Sequence, residues 1–416
     1  MGTRTRGRRH LARAGALVAI SVLAVAGPVG LASSSGAQVV VGDPTGPTAR
    51  RPYRVGGIAD VELFPGAEVG ARARFDAANR SGGIGGRPVE FLGVRDDARD
   101  PATALSETRR LVRDVGVDAV VPVETSRFTD DGTLADAHVP AFGWGIAGGF
   151  CGNRWAFAIT GCRAPLLPQR VPGIWGSLVA TVLRARGVRH PTAAIVTESA
   201  AVPRSLDELR AVARAAGMRV TYAEAALDPG DAAATMAGDV AGEVLAAARR
   251  SPDAVFVVAG FIAVGALQDA LRQRGFDGVT TNLVQYAPAL VAPASGSYVF
   301  TEFATPEAAA GDPAMREILD QIATLTPDAV TPSMIAGWLS ADFWLRAVDA
   351  ASDNPTPARV ARAAAGLRYR VAGTVGPTVY PSAFVRPTSC GQLVTSDGTA
   401  FTVAAPYRCS EYVRVR

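Results

Sequence analysis

Apolar and polar residues follow two periods along this chain, and the two periods alternate. In the first such stretch, apolar residues recur at helical spacing until Gly82 and Gly83 end the helix, because glycine tolerates the left-handed backbone that a helix end needs. Residues 89–94 are apolar at nearly every position, as in a strand buried on both faces. Asp100 and Pro101 then begin a second helix, and residues 119–123 form the next strand. Such alternation with short connections predicts a doubly wound parallel sheet.

A second alternation of the same kind begins at Thr192. It predicts further strands, with helices between most of them, at residues 192–196, 219–223, 253–259, 279–283 and 298–303. Three helical patterns follow at 313–325, 332–349 and 357–367, and the chain from Val371 onward is rich in Gly, Pro and Thr. A chain of 416 residues is too long for one average domain and fits two lobes plus an export segment. The predicted fold class is therefore α/β, with two doubly wound, Rossmann-like lobes.

One block of the first alternation resembles a known family. Asn79, the run Gly82-Gly83-Ile84-Gly85-Gly86-Arg87, the pair Asp96-Asp97 and Pro101 are similar to the "N-GGI-GR … DD … P" block of type I periplasmic binding proteins. More narrowly, they resemble the branched-chain amino-acid (Leu/Ile/Val) class that serves ABC transporters. The resemblance implies two lobes joined by a hinge.

In that family the chain crosses between the lobes three times. The corresponding crossings would lie near Ala164, Glu302 and Ser382. The expected first lobe comprises residues 52–165 and 303–382, and the expected second lobe comprises residues 166–302 and 383–416.

The first residues have the order of an export signal. Arginines precede an apolar stretch at 14–26, and small residues end it at Ala32 or Ala37. We expect a signal peptide over 1–37 and a flexible leader over 38–51. An uncleaved membrane anchor is the alternative, but the apolar stretch is short for a spanning helix. No cysteine follows the apolar stretch, so we expect an exported protein without a lipid anchor.

Charge and composition narrow the possible partners. All 42 basic residues are arginine, the net charge is +4, and the arginines are scattered along the chain. Nucleic-acid binders cluster such residues on one element, so we expect no nucleic-acid partner.

Four cysteines, an even number in an exported protein, favour disulfide bonds. Three pairings are possible, and the most economical joins Cys151 to Cys162 and Cys390 to Cys409, because each pair flanks a short loop. A metal site is the alternative. It is disfavoured because there is no C-x-x-C spacing and the chain has 3 histidines.

Catalytic signatures are missing from the sequence. A P-loop needs a lysine, and the chain has none; G-x-S-x-G and H-E-x-x-H do not occur either. The glycines at 82–86 follow a helix instead of linking a strand to a helix, so they are not a dinucleotide fingerprint. We expect a protein that is not an enzyme and has no cofactor or metal, although a hydrolase on the same fold stays an alternative.

Ligands of doubly wound sheets bind beyond the carboxyl ends of the strands. The loops at those ends carry the candidate ligand-binding residues, which are Phe64, Thr125, Ser126, Trp144, Glu198, Phe261 and Tyr286.

Thr125 and Ser126 precede a helix predicted at 128–137, where hydroxyls and free backbone N–H groups hold a carboxylate. In the resembled family this position carries small hydroxyl residues for that purpose. Capping of the helix by Ser126 or Thr129 is the alternative role.

The other candidates each have a second interpretation. Trp144 is suited to stacking on an apolar ligand or to burial in the core. Tyr286 matches the loop where the resembled family often places an aromatic residue. Glu198 is a candidate partner for a ligand ammonium group. Its alternative is a solvated loop carboxylate with no ligand role. Glu124 and Glu62 are further candidates for the ammonium.

The sequence thus predicts an exported two-lobe protein that is not an enzyme. It would capture a small polar metabolite, amino-acid-like and bearing a carboxylate, for an ABC permease, and it would act as a monomer. A ligand sensor or receptor without transport is the second hypothesis.

Overall fold

The computed structural model describes residues 51–163, 169–198, 204–228, 232–247, 251–352 and 355–415. Residues from Arg50 onward form one compact unit. The predicted signal peptide and nearly all of the predicted leader lie outside the described residues, as does Ala164. No helix in the described ranges is long and apolar enough to cross a lipid bilayer.

The first lobe is built on a five-stranded parallel sheet. Its strands pair in the order β2-β1-β3-β4-β5. Every residue of the third strand is buried, as expected for a strand covered by helices on both faces. In chain order the strands are β1 (Tyr53–Ala59), β2 (Val89–Asp96), β3 (Ala119–Glu124), β4 (Ala141–Gly143) and β5 (Ala156–Ala158).

The second lobe is built on a seven-stranded sheet. The remaining strands of the chain, seven of which form this sheet, are β6 (Arg170–Pro172), β7 (Thr192–Glu198), β8 (Arg219–Leu227), β9 (Ala254–Val258), β10 (Val279–Asn282), β11 (Ser297–Thr301), β12 (Arg368–Val371), β13 (Val375–Val379), β14 (Cys390–Ser396), β15 (Phe401–Cys409) and β16 (Tyr412–Arg414). The sheet order is β15-β14-β11-β10-β9-β7-β8. Strands β7 to β11 pair in parallel, whereas β14 and β15 add an antiparallel hairpin at one edge. The two α/β lobes predicted from the alternation of periods are confirmed.

Helices cover the sheets, and several begin at a capping residue followed by proline. The helices are α1 (Ala67–Arg80), α2 (Pro101–Arg109), α3 (Thr133–Ala137), α4 (Ile174–Ala185), α5 (Arg204–Ala215), α6 (Ala232–Ala246), α7 (Phe261–Gln273), α8 (Pro313–Ala323), α9 (Pro332–Ala350) and α10 (Pro357–Gly366). Asp100, Asp312, Thr331 and Thr356 each accept a hydrogen bond from a backbone N–H of the first turn. The proline that follows has the backbone angle of a first helical residue and has no N–H to leave unpaired.

Helix α9 forms the centre of the first lobe, although it begins at Pro332, long after the strands that it covers, which end at Glu124 and Gly143. It packs on α1 and on β3 and β4, and most of its residues are buried. Two glycines allow the close approach of α1 and α9. A Cβ at Gly70 would lie 1.8 Å from the backbone oxygen of Met334, and one at Gly337 would lie 2.2 Å from that of Ala67. After the parallel strands of the second lobe, the chain therefore returns to the first lobe, where α9 completes the hydrophobic core.

The helix predicted at 128–137 is wrong in extent, since α3 spans only Thr133–Ala137. The preceding residues follow side-chain bonds instead. Asp130 accepts from the backbone N–H of Gly132 and from the side chain of Asn153, and Gly132 has a φ of 99°. Because Asx-type bonds of this kind offer the backbone an alternative to the helix, the segment after β3 is a turn. Ser126 therefore does not stand at a helix N-terminus.

Both predicted disulfides are confirmed. Cys151 bonds to Cys162 beside β5, and Cys390 bonds to Cys409 across paired positions of β14 and β15. The described residues contain no free cysteine. The exact lobe boundaries given above stay a prediction.

Candidate functional site

The two parallel sheets share one strand order, and that order locates the site. The first reads β2-β1-β3-β4-β5 and the second reads β8-β7-β9-β10-β11. In each, the direction of strand addition reverses once, between β1 and β3 and between β7 and β9. Loops leave such a switch point in opposite directions, which opens a crevice at the carboxyl ends of the strands.

A cleft of about 710 Å³ lies where loops of both lobes meet. Five of the seven predicted ligand-binding residues line it, and these are Phe64, Ser126, Trp144, Phe261 and Tyr286. Its volume is within the range of about 300–1,000 Å³ that is typical of small-molecule sites. The structure therefore brings most of the candidates together, and the cleft is the candidate functional site.

Trp144 is the centre of the first-lobe wall. Its ring packs edge-on against Phe64, with centroids 6.0 Å apart, and lies 5.0 Å from the ring of Phe303. Its indole Nε1 donates a hydrogen bond of 3.0 Å to Oε2 of Glu302. Trp144 is thus partly buried among aromatic residues and also lines the cleft, and its stacking on a ligand stays a prediction.

Arg163 and Glu302 bring opposite charges to the same wall. Nε of Arg163 lies 3.8 Å from Oε1 of Glu302, and their side chains are 38% and 15% exposed. Both residues line the cleft. Glu302 directly follows β11 of the second lobe, and Arg163 lies a few residues after β5 of the first lobe, so both lie near the predicted crossings between the lobes.

The second-lobe wall is held by a buried network of polar side chains. The amide of Asn282 donates to Oε1 of Gln285 and to Oγ of Ser297, at 2.8 Å in both cases. This fixes the loop after β10 and presents Tyr286 to the cleft. The hydroxyl of Tyr286 donates a hydrogen bond of 2.9 Å to Oε2 of Glu307, and the Tyr286 ring packs against Phe401. Burial, together with the nearby Glu307 carboxylate, raises the pKa of the Tyr286 phenol, so the group stays a neutral donor.

Thr125 and Ser126 are neighbours with different surroundings. Thr125 is fully buried, its hydroxyl donates to the carboxylate of Asp97, and its oxygen accepts from the N–H of Arg127 at 2.8 Å. Ser126 is exposed and lines the cleft. Only Ser126 is therefore placed to touch a ligand, whereas Thr125 ties the carboxyl ends of β2 and β3 together.

The three predicted partners of an ammonium group lie outside the cleft lining. Glu198 accepts from the N–H of Gly260, the residue that precedes α7, and so stabilises the start of that helix. Glu62 is exposed and pairs with Arg99 at 2.7 Å. Glu124 is fully buried, and neither of its carboxyl oxygens has a hydrogen-bond partner among the described residues. Burial raises the pKa of the Glu124 carboxyl well above its usual value.

Arg163 and Glu302 are site residues that the sequence did not single out. Their only signal was their position in the chain, since two of the predicted lobe crossings lay near Ala164 and near Glu302. Crossing segments border the cleft in a two-lobe protein, so charged residues there are worth considering as ligand contacts.

Comparison with known proteins gives one family match and many structural matches. The model of a family described as periplasmic binding protein matches residues 53–400. No curated protein matches the sequence significantly.

Three solved structures illustrate the similarity. A putative branched-chain amino-acid ABC transporter protein from Silicibacter pomeroyi has a TM-score of 0.64 and 14% identity, covering 85% of this chain and 96% of that one. The branched-chain amino-acid transporter substrate-binding protein LivJ from Streptococcus pneumoniae, in complex with isoleucine, has a TM-score of 0.59 and 17% identity, with 86% and 100% covered. A fatty-acid ABC transporter substrate-binding protein from Thermomonospora curvata has a TM-score of 0.61 and 17% identity, with 87% and 93% covered. At such identities these structures establish the shared fold.

Proposed function

The chain belongs to the periplasmic binding protein family, and on that premise we propose that it captures a small solute between its lobes and delivers it to an ABC permease. The resemblance drawn from the Asn79-to-Pro101 block is thereby confirmed. The observation that carries the proposal is the cleft itself. It lies at the carboxyl ends of the strands of both lobes and is lined by side chains from each.

Binding would act by shifting a population. A ligand that contacts Phe64 and Trp144 on one wall and Phe261 and Tyr286 on the other interacts fully only when the lobes are closed. It therefore favours the closed state by its difference in affinity for the two states. Bending is confined to the crossing segments that join the lobes, as in hinge closure around a ligand. A permease would then recognise the closed form.

The solute we propose carries a carboxylate. Arg163 is the cation among the described lining residues, and the exposed hydroxyl of Ser126 lies in the same lining. A carboxylate is common to amino acids and fatty acids, the ligand classes in the names of two of the similar structures. Thr125 and Glu198 are not part of this proposal, because each side chain is engaged by a structural partner.

Export remains part of the proposal, since the predicted signal lies outside the described residues. The mature protein would begin near Ser33 or Gln38 and act as a monomer outside the cytoplasmic membrane. Mass spectrometry of secreted protein tests the first point, and an intact N-terminus from Met1 would contradict it.

The test of solute capture combines binding with a measurement of closure. Purified mature protein is screened by thermal shift against amino acids and organic acids, and each hit is measured by calorimetry and small-angle X-ray scattering. We expect one ligand per chain and a smaller radius of gyration on binding. A ligand at 100 times its Kd stabilises the fold by about 2.7 kcal/mol, which is easily detected. Binding without any change in scattering would contradict closure, and turnover of a bound compound would favour a hydrolase.

A further inference from the structure

The cleft is poor in charged groups for its size. Among the described lining residues, Arg163 is the one cation and Glu302 the one carboxylate. The remaining lining side chains are apolar or aromatic except for the hydroxyl residues, which are Ser126, Thr301, Thr331 and Ser333. Among the described lining residues, this pair therefore carries the only formal charges that an ionic group of a ligand would meet.

The two charges are not equally available. Both oxygens of Glu302 have a partner, since Oε2 accepts from Trp144 at 3.0 Å and Oε1 faces Nε of Arg163 at 3.8 Å. The guanidinium has five N–H donors, and within the described residues its terminal amino groups make no hydrogen bond. Arg163 is also the more exposed of the pair, at 38% against 15%. The pair therefore offers a ligand hydrogen-bond donors and positive charge, and it offers few acceptors.

Other polar groups of the lining are engaged as donors. The hydroxyl of Thr301 donates to the backbone oxygen of Phe303 at 2.8 Å, and that of Thr331 donates to Pro65 at 2.7 Å. An ammonium group entering this cleft would meet no second carboxylate among the described lining residues. Burying a cation without a charged partner is unfavourable, whereas a carboxylate would meet a guanidinium suited to two parallel hydrogen bonds.

From this imbalance we infer that the ligand is an apolar carboxylate without an α-ammonium group, such as an arylalkanoate or a branched aliphatic acid. Arg163 binds the carboxylate, Glu302 and Trp144 orient Arg163, and the aromatic walls contact the apolar body. The inference rests on the proposed function and narrows it, because it separates simple organic acids from amino acids. The cleft volume of about 710 Å³ accommodates such a body.

The test uses ligands that differ by one group. Calorimetry at pH 7.5 compares 3-phenylpropanoate with L-phenylalanine, which adds the ammonium group, and with 3-phenylpropanamide, which lacks the charge. A second pair, 4-methylpentanoate and L-leucine, repeats the comparison with an aliphatic body. We expect each carboxylate to bind at least about tenfold more tightly than its amino acid, and 3-phenylpropanoate to exceed its amide by a similar factor.

Variants assign the effect to Arg163. Arg163→Met should lower the affinity for 3-phenylpropanoate about tenfold or more and remove the preference over the amide, and Arg163→Lys should lie between. Arg127→Met is the matched control, because Arg127 is exposed in the same lobe and does not line the cleft. It should leave both affinities unchanged. Circular dichroism and melting temperature confirm that each variant is folded.

The outcomes separate the inference from the proposed function. Tighter binding of the amino acids, or no binding of either carboxylate at millimolar concentration, overturns the inference, and amino-acid binding with lobe closure leaves solute capture standing. Equal loss in Arg163→Met and Arg127→Met overturns the role of Arg163. If no compound in the wider solute screen binds or closes the lobes, the proposed function itself fails.

Discussion

Replacing Trp144 by phenylalanine tests whether the wall of the cleft is held by a charged hydrogen bond. The variant keeps an aromatic ring against Phe64 and Phe303 but removes the indole N–H that donates 3.0 Å to Glu302. Hydrogen bonds to charged groups contribute about 1.5–3 kcal/mol. Glu302 keeps its contact with Arg163 and is 15% exposed, so water replaces part of the loss. We therefore expect a destabilisation of about 1.5 kcal/mol, at the low end of that range.

Urea unfolding measures this loss as a change in midpoint at constant slope. Trp155→Phe is the matched control, because Trp155 is a partly buried tryptophan of the same lobe whose indole nitrogen makes no hydrogen bond within the described residues. It should cost clearly less. A double-mutant cycle with Glu302→Met, which removes the oxygen acceptor, isolates the pair, and we expect a coupling of about 1 kcal/mol.

Independent sites add to within about 0.3–0.5 kcal/mol. Additivity of Trp144→Phe and Glu302→Met within that limit would refute the hydrogen bond as a stabilising contact. Equal effects of Trp144→Phe and Trp155→Phe would show that lost ring volume, and not the lost donor, explains the result.

Three further predictions concern stability. Thr125→Val should lower the free energy of unfolding by about 1–3 kcal/mol, because the buried Asp97 carboxylate loses its hydrogen-bond donor. Ser126→Ala should change it by less than about 0.5 kcal/mol, and equal urea midpoints for the two variants would contradict this. Burial raises the pKa of Glu124, so its stabilising contribution is complete below the unfolded pKa of about 4.3 and is lost as pH rises through the folded pKa. Relative to Glu124→Gln, the wild type should lose up to about 1.4 kcal/mol per pH unit in that window, and parallel pH profiles would exclude it. Gly337→Ala should destabilise the protein by about 1–3 kcal/mol or more, because the added Cβ would lie 2.2 Å from a backbone oxygen of α1. The helical Gly366 has open space around it, so Gly366→Ala should not destabilise the protein. Similar melting temperatures of the two variants would refute the close approach of α1 and α9.

Local signals were sufficient for most of the secondary structure. The helix at Pro332–Ala350 was predicted at 332–349, and the strand at Val279–Asn282 at 279–283. Periodicity and capping residues act within a few positions, so one sequence contains the whole signal. The two disulfides were also predictable from the sequence, because short loops between the cysteines favour the pairing that the structure shows.

Side-chain direction within a loop required the tertiary structure. Thr125 and Ser126 are adjacent and chemically alike, yet one is buried against Asp97 and the other is exposed at the cleft. The start of α3 likewise depended on the bond between Asp130 and Asn153, which are 23 positions apart. No local pattern records which of two similar hydroxyls faces a neighbouring strand.

The charged pair of the cleft was the largest omission, and its cause is separation along the chain. Arg163 follows β5 of the first lobe and Glu302 follows β11 of the second, so the two residues lie far apart in the sequence and meet only in the folded protein. The sequence by itself determined two α/β lobes, most of their strands and helices, and the loops that border the cleft, because these follow from local periodicity and from the rules of parallel sheets. Only the tertiary structure decided which of those loop residues share a wall and which charge is left available to a ligand, because contacts between distant segments leave no periodic trace in a single sequence.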